Sequence, residues 1–163
     1  MLKGRLGEDL KNSLKSGDKL KRVVLGSLMA TIKNRELLKR GQLSKTIIDA
    51  KELETKSMLN DEEILEAIAS EVKKRKESIE QFKAGGRDEL VDKESAEMEI
   101  LMVYLPEQMS EEDVRKEVQD IVTQLGATDM KEIGKVIGAA MTKLKGKADG
   151  GLVSKIVKEL LAK

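Results

Sequence analysis

Apolar residues in this chain return at every third or fourth position almost from end to end, and that spacing decides what it can fold into. Leu2, Leu6, Leu10 and Leu14 recur every four residues up to a Ser16-Gly17 break. Asp18 then caps a second helix, whose stripe is Leu20, Val23, Val24, Leu28, Ile32 and Leu38 and whose end is set at Gly41. Residues 42–59 leave two readings open: a short helix lined by Ile47, Ile48, Leu53 and Leu59, or a mobile connection. Asn60 or Asp61 opens a clearer helix, with acids in its first turn where the helix dipole favours them. Its apolar face is Ile64, Leu65, Ile68, Val72, Ile79 and Phe82, its opposite face carries Lys73, Lys74, Arg75 and Lys76, and Gly85-Gly86 ends it. The next helix holds Leu90, Val91, Ile100, Leu101 and Tyr104.

Pro106 is the only proline. It lacks an N–H and restricts Leu105 before it, so it sets a domain boundary between residues 1–105 and 106–163. Beyond it, Ser110 with Asp113 three residues on opens a helix buried through Val114, Val118, Ile121, Val122 and Leu125, and Gly126 closes it. Thr128 or Asp129 opens another, buried through Ile133, Val136, Ile137, Ala140, Met141 and Leu144 and ending near Gly146. Asp149 opens the last, on Leu152, Val153, Ile156, Val157, Leu160 and Leu161. No alternating run bounded by hairpin turns interrupts the pattern. The expected fold is all-α, a longer helical N-terminal domain followed by a small three-helix tail domain.

Residue types then exclude most chemistry. The chain has no cysteine and no histidine, which removes thiol nucleophiles, Cys/His zinc sites and a histidine base. No phosphate-binding glycine loop of either common kind is present. The acid pairs Glu62-Glu63 and Glu111-Glu112 sit in helix first turns, where capping accounts for them. The residues predict no catalytic group, no metal and no cofactor. No apolar run approaches the roughly 20 residues that span a bilayer, and MLKGRLGEDL does not read as a signal peptide. The expectation is a cytoplasmic protein without a membrane partner.

Charge is distributed unevenly behind a net of +1. Lys and Arg against Asp and Glu number eleven to four over residues 1–41, twelve to twenty-two over 42–126 and eight to four over 127–163. Within the last segment, GKVIGAAMTKLKGKADGG places Gly134 and Gly138 one turn apart inside a helix, where each glycine costs roughly 1 kcal/mol relative to alanine. Two compatible readings follow: close helix packing extended by Ala139 and Ala140, or a bare backbone that a phosphate or sugar can approach. Lys135, Lys143, Lys145 and Lys147 lie along and beyond the same helix. They suit either a solvated helix end favoured by the dipole or a nucleic-acid backbone. The Asp149-Gly150-Gly151 start is a weak anion site because Asp149 competes with the anion.

Three ordered stretches, KKRKESIEQFKAGGRDELVDKESAEMEIL, YLPEQMSEEDV and GKVIGAAMTKLKGKADGGLV, resemble the YqeY-like family of small bacterial proteins. The resemblance covers nearly the whole chain and is weakest over residues 1–18. That family shares its C-terminal region with the tail of the B subunit of the tRNA-dependent amidotransferase. The resemblance implies a tail that docks on the outer corner of tRNA, with Lys135, Lys143, Lys145 and Lys147 as candidate contacts and Gly134 and Gly138 shaping the surface. It also carries a label, carbon–nitrogen ligase with glutamine as amido donor. The apparatus for that reaction lies elsewhere in the amidotransferase, so the label describes ancestry better than chemistry. Three departures are visible: Glu132-Ile133 where relatives read Asp-Met, Thr142 where they often have proline, and an apparent insertion over 43–59. The function expected is a non-catalytic accessory protein that binds tRNA or another structured RNA. The alternative is a protein–protein adaptor docking on an amidotransferase or an aminoacyl-tRNA synthetase.

Overall fold

The computed structural model describes residues 1–162, which form helices and turns and, among the described residues, no strand. The chain divides into two units, Met1–Tyr104 and Leu105–Lys163.

The first unit holds α1 (Leu2–Ser16), α2 (Lys19–Leu43), α3 (Ala50–Ser57), α4 (Asp61–Ala84) and α5 (Asp88–Met102). Gly17 ends α1 in the left-handed conformation, at φ 74°, and Asp18 accepts the Lys21 N–H at 2.9 Å, so two residues turn α1 into α2. Asn60 and Glu63 form a reciprocal capping box at the start of α4, at 2.9 and 2.8 Å, which satisfies two donors that a helix start otherwise leaves bare. Helices α1 and α4 pack against α2, and α5 runs along α4. Their shared core is aliphatic: Leu6, Val24, Leu25, Leu28, Ile32, Ile64, Ala67, Ile68, Val72, Ile79 and Leu101, with Tyr104 at its edge. Ion pairs tie the helices at their margins, Lys3 to Glu36 at 2.6 Å and Lys39 to Glu63 at 2.7 Å.

Several expectations for this unit are corrected. Helix α2 does not stop at Gly41 but runs to Leu43, because a single glycine weakens a helix without ending it. Leu20, Val23 and Leu38, expected in its buried stripe, are exposed. Apolar residues surround much of α2, and periodicity alone does not say which arc packs; the arc that packs is Val24, Leu25, Leu28 and Ile32. Leu14 of α1 is likewise exposed. Arg75, expected on the outer face of α4, turns inward to Glu94 at 2.9 Å and Glu97 at 2.5 Å on α5. The undecided stretch resolves into a connection and the short α3, with Leu53 and Leu59 half-buried and Ile48 fully exposed.

The second unit is a three-helix bundle: α6 (Glu111–Leu125), α7 (Ile133–Lys143), which a 3-10 turn at Met130–Glu132 leads into, and α8 (Gly150–Leu161). Ser110, Asp129 and Asp149 each accept a backbone N–H at the starts of these segments. Gly126 closes α6 at φ 64°. Each helix buries one stripe: Val114, Val118, Ile121 and Val122 from α6, Val136, Ala140 and Leu144 from α7 and its end, and Val153, Ile156, Val157 and Leu161 from α8.

Candidate nucleic-acid interface

Because α7 commits Val136, Ala140 and Leu144 to the core, its glycines fall on the other side. Gly134 and Gly138 are both exposed. A Cβ placed on either would meet no atom within 4 Å. Close helix packing, one of the two readings the sequence left open, therefore finds no contact at these positions. The close approach in this bundle is at Gly150 instead, where a Cβ would lie 2.8 Å from Met141 Cε. One turn beyond Gly138, Thr142 donates its hydroxyl to the Gly138 carbonyl at 2.9 Å, and the helix continues to Lys143.

The four lysines do not share one face. Lys135 is exposed beside Gly134 and takes part in none of the ion pairs formed among the described residues. Lys143 lies eight residues on, about 80° around the helix, and its Nζ sits 2.8 Å from Glu117 Oε2 on α6. The hydrogen bond and charge of Glu117, with Asp120 adding to them, raise the Lys143 ammonium above its ordinary pKa. Lys145 and Lys147 occupy the turn after α7 and are exposed. That turn is held from beneath. Gly146 adopts φ 73° with Pro106 Cδ 3.5 Å from where its Cβ would stand. Gln108 Nε2 donates to the Gly146 carbonyl at 2.7 Å, and the Met109 N–H donates to the Lys147 carbonyl at 2.8 Å. The backbone carrying Lys145 and Lys147 is thus clamped, which limits the entropy lost when their side chains meet a ligand.

The start of α8 is occupied by its own carboxylate. Asp149 Oδ1 accepts the Leu152 N–H at 3.0 Å and lies 2.9 Å from where a Gly151 Cβ would be. An incoming anion would meet negative charge there. The structure therefore groups Gly134, Lys135 and Gly138 on one outward face, sets Lys145 and Lys147 on a braced turn, and gives Lys143 to α6. Among the described residues no three acidic side chains converge on a point that could hold a metal.

Sequence reasoning did not single out Glu117 or the Pro106–Met109 brace. Glu117 precedes the buried Val118 in α6, and nothing in its own helix announces a partner on α7. The brace was foreshadowed only by Pro106, read as a boundary rather than as a wall against Gly146.

A family model described as Yqey-like protein matches residues 42–161. Similar curated proteins include the fungal protein named Altered inheritance of mitochondria protein 41, mitochondrial. The one from Candida glabrata is 33% identical over 147 residues, 86% of this chain and 73% of the relative. The one from Pyrenophora tritici-repentis is 29% identical over 160 residues, 96% of this chain and 79% of the relative. The one from Saccharomyces cerevisiae strain YJM789 is 28% identical over 127 residues, 77% of this chain and 58% of the relative. These names correct the expectation of a cytoplasmic protein, since the relatives are named as mitochondrial. The expectation rested on the lack of a long apolar run and on MLKGRLGEDL not reading as a signal peptide; the first bears on crossing a bilayer and the second on secretion, and neither on a mitochondrial address.

Proposed function

The chain belongs to the YqeY-like protein family, and from that footing we propose that its second unit docks on the sugar–phosphate backbone of a structured RNA, tRNA first among candidates, and catalyses no reaction itself. The observation that carries this reading is the pair of outward glycines. Gly134 and Gly138 weaken α7, and among the described residues no neighbour uses the space they leave. A partner that must come close to the helix backbone does use it. Lys135 beside them and Lys147 on the braced turn supply positive charge for phosphates, with Lys145 between. Lys143 joins only by exchanging Glu117 for a phosphate. Phe82 and Tyr104, the only aromatic residues, lie outside the second unit, so recognition rests on shape and charge rather than on stacked bases.

The test is tRNA binding by the full chain across a range of potassium chloride concentrations. Replacing Lys135 and Lys147 by alanine should lower the salt slope by about one per lysine. Replacing Gly134 and Gly138 by alanine should weaken binding although nothing inside the protein is disturbed. Unchanged binding in both variants ends the proposal.

One observation favours a protein partner instead. Met141 is 43% exposed on α7, and a partner helix could lie over the bare glycines with Met141 as its apolar contact. Stoichiometric recovery of one protein after nuclease treatment, lost on Met141→Ser, would decide for that reading.

A further inference from the structure

The outer face of α2 is a second surface, independent of the glycine face. Its core-facing arc is Val24, Leu25, Leu28 and Ile32. On the opposite arc, at helical spacing, stand Lys19, Arg22, Val23, Ala30, Lys33, Leu37 and Arg40, all exposed. Val23 and Leu37 are 58% and 56% exposed. The only acid within α2 is Glu36, which lies off this arc and is held by Lys3 at 2.6 Å and by the Leu59 N–H at 3.1 Å. Lys19, Arg22, Lys33 and Arg40 take part in none of the ion pairs formed among the described residues.

We infer that this face lies on an anionic lipid bilayer. It combines aliphatic side chains with acid-free positive charge along a 25-residue helix, about 37 Å of surface. Lys and Arg stems can run along the apolar boundary and keep their heads at lipid phosphates while Val23, Ala30 and Leu37 sit just below. An RNA backbone would leave those aliphatic groups in water without reward. A protein interface would ordinarily be poor in lysine and rich in aromatic residues at its centre, and this face has two lysines and no aromatic residue. No helix among the described residues is long and apolar enough to cross a bilayer, so the contact is peripheral. The sequence-based expectation of no membrane partner rested on the lack of a spanning run, which surface binding does not need.

The test is flotation of the full chain with vesicles of phosphatidylcholine alone and of phosphatidylcholine mixed with phosphatidylglycerol. The protein should float with the mixed vesicles, not with the neutral ones, and salt should release it. Exchanging Lys19, Arg22, Lys33 and Arg40 for glutamine should lower partitioning by about a hundredfold or more. Val23→Ser with Leu37→Ser should lower it by about tenfold at unchanged helicity. Both positions are exposed, so this pair decides the matter even if the fourfold variant does not fold. The Lys135→Ala, Lys147→Ala protein should float as the parent does, which keeps this outcome separate from that of RNA binding. Equal binding to both vesicle types, or full binding by the serine pair, overturns the inference. Failure of the parent to float with the mixed vesicles overturns it as well, and leaves the basic face to a partner in solution such as RNA.

Discussion

Tyr104 donates its phenolic hydroxyl to Asp9 Oδ2 at 2.5 Å, joining the end of the first unit to its first helix across 95 residues of sequence. The Arg5 guanidinium stacks over the same ring, 5.1 Å from its centre. Burial, then the hydrogen bond to Asp9 and the charge of Asp9, push the phenol well above its ordinary range, while Arg5 pulls it modestly down. The neutral phenol is therefore the form the fold favours. Its contribution is complete below the unfolded tyrosine pKa, about 10, and is lost as pH rises through the folded value. Because this is the only tyrosine, an alkaline absorbance titration reads it alone. It should ionise in the native chain only at higher pH than in the urea-unfolded one. Tyr104→Phe should cost about 2 kcal/mol at neutral pH in urea denaturation, since Asp9 loses its partner.

Arg75 tests whether an inward ion pair holds α4 to α5. Its side chain is 16% exposed and that of Glu97 10%. Arg75→Ala should destabilise the first unit by roughly 3 kcal/mol, because it leaves Glu97 without its countercharge. Adding Glu97→Leu should recover much of the loss, as measured by urea denaturation followed by far-UV circular dichroism.

Glycines in the second unit should answer alanine with opposite signs. Gly138→Ala should stabilise the unit by about 1 kcal/mol, and Gly134→Ala, nearer the helix start, by less. Gly146→Ala should destabilise it by about 1–2 kcal/mol, because φ 73° strains any residue with a Cβ. Thermal denaturation of the three single variants provides the comparison.

Glu117→Gln should release Lys143 from α6. Under the proposed function its RNA affinity should rise and its salt slope steepen by about one. An affinity below that of the parent would show that the pair shapes the bundle rather than restraining a lysine.

The all-α architecture was legible because caps and apolar spacing agree along most of the chain. Ser110, Gly126 and Asp149 bound their helices as their residue types suggest. What escaped was orientation. Val23 and Leu38 satisfied the same periodicity as Leu28 and Ile32 yet face solvent, because a long helix with apolar residues on two arcs can bury only one. Gly134 and Gly138 announced a special surface without saying whether another helix or the exterior would meet it. Lys143 was readable as a cation, but its match to Glu117 depends on how α6 and α7 are turned toward each other, a relation that neither helix encodes alone.

The aliphatic character of the three-helix bundle has a practical consequence. With Phe82 and Tyr104 both in the Met1–Tyr104 unit, the bundle has no chromophore to give near-UV optical activity. Loss of near-UV signal on heating therefore reports the first unit alone, and any later loss of amide signal belongs to the bundle, so the two meltings can be told apart without a label or a cut in the chain.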